Sequence, residues 1–148
     1  MANNMENVTV YKQLIGREIL NIAVSEDVLY FVFDEIIAIW NHEQDCCESV
    51  YIEDIEGDLK NLIGTPLVMA ETYYHEADTY DGSETYTYYT FATVKGRVVI
   101  RWYGESNGYY SESVDMTTIN RWEEPKLYYE MRRVLSKKYR RWVYSEES

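Results

Sequence analysis

The chain has 148 residues, 46% of them hydrophobic and 16% aromatic, with 16 Tyr. This is enough for one domain with its own core and excludes a disordered or low-complexity chain. The net charge of −12 argues against binding to a nucleic-acid backbone by the body of the domain, because that affinity comes from Lys and Arg neutralising phosphates.

In chain order, residues 8–15 fit either a short helix or an entry strand before Gly16. Residues 18–24 and 28–33 flank Ser25-Glu26-Asp27 and predict a hairpin. In the second run Val28, Tyr30 and Val32 alternate with Leu29, Phe31 and Phe33, so both faces are apolar and a central, covered strand is expected. Residues 36–40 form a third strand, 41–48 a loop and 50–55 a further strand. Residues 57–64 predict one or two helical turns, with Asp58 at the start and Gly64 at the stop. A strand over 67–74 follows, and then the polar, acidic stretch 75–84 predicts a mobile loop.

Residues 86–94 and 97–103 are the clearest strand pair, joined at Lys95-Gly96. Val98, Ile100 and Trp102 share one face of the second arm. Asn107-Gly108 signals a second hairpin, with 109–115 as the returning strand of an antiparallel meander. After residue 120 the period changes. Glu123-Glu124-Pro125 opens an amphipathic helix, with Tyr128, Met131, Leu135, Tyr139 and Trp142 on one stripe and Lys126, Arg133, Lys137, Arg140 and Arg141 opposite.

The expected fold class is therefore α+β: a mostly antiparallel β-sheet meander, a short helix near 58–63 and a C-terminal amphipathic helix. Charge divides the chain at the same place. Residues 1–120 hold 6 Lys or Arg against 21 Asp or Glu, a formal −15, and residues 121–148 hold 8 against 5, or +3. We expect an acidic β-rich domain over 1–120 and a basic helix over 121–148, packed on it or extending from it.

Chemistry-bearing side chains concentrate in His42-Glu43-Gln44-Asp45-Cys46-Cys47-Glu48. A zinc site from His42, Cys46 and Cys47, with His75 as a distant third ligand, lacks the paired Cys-x2-Cys spacing of structural zinc. A Cys–His nucleophile pair has no supporting signature elsewhere in the chain. Adjacent cysteines are expected to stay unbridged, one packed inward, which points to a reducing compartment. Glu53, Asp54, Glu56 and Asp58 form an acid run without the calcium-loop pattern, and read as a solvated edge or an electrostatic docking patch. Glu105, Tyr109 and Tyr110 surround the Asn-Gly turn and could contact a partner. No cofactor motif occurs, the N-terminus has no signal-peptide pattern, and no apolar run spans a bilayer. The cytoplasm is the expected location.

Several of these segments together resemble one family. His42-x-Gln44-Asp45-Cys46-Cys47-Glu48-Ser49-Val50, Ile52-Glu53-Asp54-Ile55-x-Gly57-Asp58, Leu62-Ile63-Gly64-Thr65-Pro66 and Ile100–Val114 are similar, in order, to a small domain common in phage and prophage genomes. It is the domain of unknown function 7448, and the resemblance covers about residues 14–115. It implies a phage or mobile-element setting, in which small acidic proteins often block host defence proteins, and it assigns no activity.

The expected function is a non-enzymatic module that docks on the basic surface of a protein partner, a host defence protein among the candidates. The alternative is a binder of a nucleotide signal through Tyr, Trp, Arg97 and Arg101. An enzyme built on Cys46, Cys47 and His42 ranks last. Membrane association is not expected. Nucleic acid is disfavoured for the body and open for the basic helix face of Arg133, Lys137, Arg140 and Arg141, as is self-association.

Overall fold

Two antiparallel sheets enclose one apolar core in the computed structural model, which describes residues 11–120. The first sheet holds β1 (Asn21–Val24), β2 (Val28–Val32), β3 (Ile36–Asn41) and β8 (Asp115–Asn120), in the order β1-β2-β3-β8. The second holds β4 (Ser49–Glu56), β5 (Met69–Thr79), β6 (Gly82–Thr93) and β7 (Gly96–Ser106), in the order β4-β7-β6-β5.

Alternation explains the packing. Successive strand side chains point to opposite faces, so Val98, Ile100 and Trp102 of β7 all enter the core and each is fully buried. Phe91 of β6 meets Phe31 of β2 and Trp40 of β3, with ring centroids 4.8 and 5.3 Å away. Phe31 and Trp40 are 4.9 Å apart. These edge-on aromatic contacts add about 0.5–1.5 kcal/mol each to area burial. As its two apolar faces predict, β2 is central in its sheet. Leu29 and Phe31 enter the main core, while Val32 joins Ile37, Tyr30, Ile39 and Ile119 in a smaller cluster on the other face.

Asp58 caps a short 3-10 turn, Leu59–Leu62, by accepting from the Lys60 N–H at 3.0 Å. Its Leu59 and Leu62 plug one end of the core. No α-helix of strand-packing length occurs among the described residues. The amphipathic helix expected over 121–148, with its basic face of Arg133, Lys137, Arg140 and Arg141, lies outside the described residues.

Two expectations are corrected. Residues 75–84 are not a loop: β5 and β6 stay in register as far as Thr79↔Gly82, because the hairpin runs past the apolar core with polar side chains on both faces. Residues 109–115 do not return along β7. The chain leaves the second sheet after Ser106 and, from Asp115, pairs with β3 of the first sheet, since β7 is already flanked by β4 and β6. The meander is therefore β5-β6-β7, with the loop 107–114 spanning from one sheet to the other.

Candidate functional site

Beyond the apolar core, the extended end of the β5–β6 hairpin and the strap 107–114 leave a groove of about 610 Å³. Its floor follows from strand alternation. Thr72, Tyr74, Glu76 and Asp78 of β5 face it, and Ser83, Thr85, Thr87 and Tyr89 face it from β6. Tyr110, Ser111, Glu112 and Ser113 of the strap close the far side, and Tyr11 lies at the inner end.

Glu112 is only 8% exposed. Its carboxylate accepts from Ser83 Oγ at 2.6 Å, Thr85 Oγ1 at 2.7 Å and Ser106 Oγ at 2.5 Å. The partners are neutral hydroxyls, and no cationic side chain pairs with Glu112 among the described residues. These three hydroxyls hold the Glu112 carboxylate at the wall of the groove. Glu76 and Asp78 add two more acids at the rim. At the inner end burial pushes the Tyr11 hydroxyl pKa up and drives that of Tyr89 well above the usual phenol range. Tyr89 is also hydrogen-bonded to Tyr11 and Thr72. Both phenols therefore stay neutral and present hydroxyls.

Two glycines allow this closeness. A Cβ on Gly82 would stand 2.0 Å from the Ser106 carbonyl oxygen, and one on Gly104 would stand 3.0 Å from Glu112 Cβ. Neither site admits a side chain without moving the end of β7 or the strap.

A second device fixes the strap. His42, at the end of β3, places Nε2 2.7 Å from Glu48 Oε2 and Nδ1 2.7 Å from the Ser113 carbonyl. Glu48 also accepts from the Asp45 and Cys46 N–H groups at 2.8 and 2.9 Å. The Asp45 N–H is the largest influence lowering its pKa; burial opposes it, and His42 and Cys46 add to the lowering, leaving the carboxyl at about 2. In the sequence His42 is a weak candidate for a metal ligand or a base. In the structure it is a latch between the 42–48 loop and the groove wall.

The cysteine expectation is corrected: Cys46 and Cys47 are bonded to each other. Glu48 winds the backbone of Asp45 and Cys46 around its carboxylate, and within this turn the two sulfurs meet. The pair therefore no longer argues for a reducing compartment. No group of three His, Cys, Asp or Glu side chains forms a metal-ligand set among the described residues.

The expected docking residues separate in space. Glu53, Asp54 and Glu56 lie on β4, and Asp58 just beyond it, across the sheet from β5. Glu53 holds Arg101 at 2.8 Å. Glu105 accepts from Tyr103 at the end of β7. Tyr110 lines the groove, and Tyr109, 81% exposed, sits edge-on to it with centroids 5.0 Å apart. Arg97 and Arg101 are on the outer face of β7, away from the groove. Glu112, Thr72, Thr85, Thr87 and Tyr89 are not legible as a group in the sequence, because β5–β6 pairing and the return of the strap bring them together.

The model of the family described as Domain of unknown function (DUF7448) matches residues 12–116. No curated protein and no solved structure matches the chain. No helix among the described residues is long and apolar enough to cross a membrane.

Proposed function

Starting from a chain that belongs to the family of domain of unknown function DUF7448, we propose a non-enzymatic binding module that takes a basic segment of a protein partner into the acidic groove. One observation carries this reading: three carboxylates, Glu76, Asp78 and Glu112, line a groove in which Tyr74 and Tyr110 supply aromatic surface and no described residue supplies a cation. Tyrosines beside opposite-charge sites are the usual anchors of protein interfaces. The remaining reactive-looking groups support it from the negative side. His42 has both ring nitrogens engaged, and the two sulfurs are joined to each other. The acid run at Glu53–Asp58 serves as a secondary attractive field. The phage setting implied by the resemblance makes a cytoplasmic host defence protein the first partner to test.

The test is a pull-down from host lysate with the intact chain and with Glu112→Gln and Glu76→Gln/Asp78→Asn variants. Loss of a captured protein in both variants supports the groove. Undiminished capture by both, with loss only on neutralising Glu53, Asp54, Glu56 and Asp58, moves the site to β4.

A further inference from the structure

On the outer face of the second sheet, strand register sets two like charges against each other. Glu84 of β6 and Glu105 of β7 are direct cross-strand partners, and carboxylates opposed in this way destabilise a sheet. Both converge on one phenol. Tyr103 Oη lies 3.1 Å from Glu84 Oε1 and 3.2 Å from Glu105 Oε1, and its single proton serves only one of them at a time. Burial, and then the two carboxylates, push the Tyr103 pKa above the usual phenol range, so the proton stays. The cluster therefore holds more acceptors than donors. Among the described residues no cation pairs with either acid.

Tyrosines flank the pair. Tyr103 is the cross-strand partner of Tyr51 on β4 and of Tyr86 on β6, with ring centroids 5.9 and 5.1 Å away. All three rings are half-buried and Glu105 is exposed, so a partner side chain reaches them from solvent. One guanidinium already sits on this face. Arg101, two residues before Tyr103, donates its Nε–H to Glu53 at 2.8 Å and is paired across the strands with Tyr88.

We infer that the Glu84–Glu105 pair and the Tyr51–Tyr103–Tyr86 row take an arginine side chain presented by a protein partner. A guanidinium is planar, carries five N–H donors and stacks on aromatic faces. It can donate to both carboxylates at once, which the single phenol proton cannot. Ser83 and Thr85 of the groove alternate with Glu84 on β6, so this subsite lies on the opposite face and does not depend on the groove.

Charge selects the occupant. A second copy offers Arg101 on this face, and that side chain is already held by Glu53. The chain's own basic residues follow Asn120, which pairs with Ile36 at the end of β8 remote from the strap, whereas Glu105 adjoins the strap's start. An outside arginine meets neither obstacle.

The amides of N-acetylarginine, N-acetyllysine and N-acetylcitrulline, titrated into the intact chain at low salt, test this. The arginine amide should perturb the ring resonances of Tyr51, Tyr86 and Tyr103. The lysine amide should bind about threefold more weakly, and the neutral citrulline amide not at all. Glu84→Gln and Glu105→Gln should each weaken arginine binding about three- to tenfold, yet raise the Tm of the free chain by about 1–3 °C, because the opposed charges are gone. Equal binding of arginine and lysine, undiminished binding by both variants, or a lowered Tm overturns the subsite. Loss of arginine binding in Glu112→Gln, with Glu84→Gln unaffected, assigns the arginine to the groove and also overturns it. Tighter binding after Arg133, Lys137, Arg140 and Arg141 are changed to Gln would identify the chain's own segment as occupant. A dimer in sedimentation that Glu84→Gln dissolves would identify a second copy. Either result overturns the outside partner.

Discussion

His42 and Glu48 meet at 2.7 Å with their side chains only 4% and 0% exposed, so the contact that seats the His42 latch is closed to water. The His42 bond to the Ser113 carbonyl lies at an exposed site, where a hydrogen bond contributes about 1 kcal/mol net, equivalent to roughly fivefold in an opening equilibrium. His42→Ala is therefore expected to speed amide exchange in residues 107–114 by about that factor. Exchange in β6 and β7 should hold. Uniform acceleration across both sheets would show that the latch supports the whole fold instead of the strap.

The Glu48 carboxyl lies at about 2 in the folded chain against an ordinary 4.5. On acidification the unfolded chain takes up this proton first. The contribution is complete above about 4.5 and drains away as pH falls toward 2. Denaturant titrations across that window should show wild-type stability falling with pH. Glu48→Gln should be less stable at neutral pH and show a shallower acid slope.

Gly104→Ala places a methyl group 3.0 Å from Glu112 Cβ, 3.1 Å from the Glu112 carbonyl oxygen and 3.2 Å from Val50 Cγ2. Overpacking of this kind costs about 1–3 kcal/mol. The expected result is a lower Tm together with lost partner capture, because the methyl displaces the Glu112 backbone. A lower Tm with full capture would mean that Glu112 position is immaterial to binding.

Burial of Tyr89 and Tyr11 raises both phenols above the usual 10.0. Above that value the unfolded chain releases these protons and the folded chain holds them, so stability falls as pH rises past 10.0. Tyrosinate absorbance should show a late group of tyrosines whose ionisation coincides with loss of circular dichroism. Tyr89→Phe should remove part of that step.

Patterns of two residues were readable in the chain wherever one face met the core. Val98, Ile100 and Trp102, and the doubly apolar β2, fall where the alternation puts them. Residues 75–84 misled because the hairpin outruns the opposite sheet there, and both faces are polar. Hydrophobic period carries no signal in such a stretch. The carboxylate site was hidden for a related reason. Glu112 takes its hydroxyls from residues 27 and 29 positions earlier in the chain, a proximity created by register and absent from local spacing. The short Asp115–Asn120 strand likewise pairs with a distant segment, β3.

The His42–Ser113 contact joins positions 71 residues apart. During synthesis β1, β2 and β3 emerge long before β8, so the hairpins of the first sheet must wait with one border open while the entire second sheet is made. Such distant closure slows folding. A nascent chain stalled ahead of residue 115 would expose the uncovered side of β3 to neighbouring chains, making the ribosome-bound intermediate the stage at which aggregation threatens this molecule most.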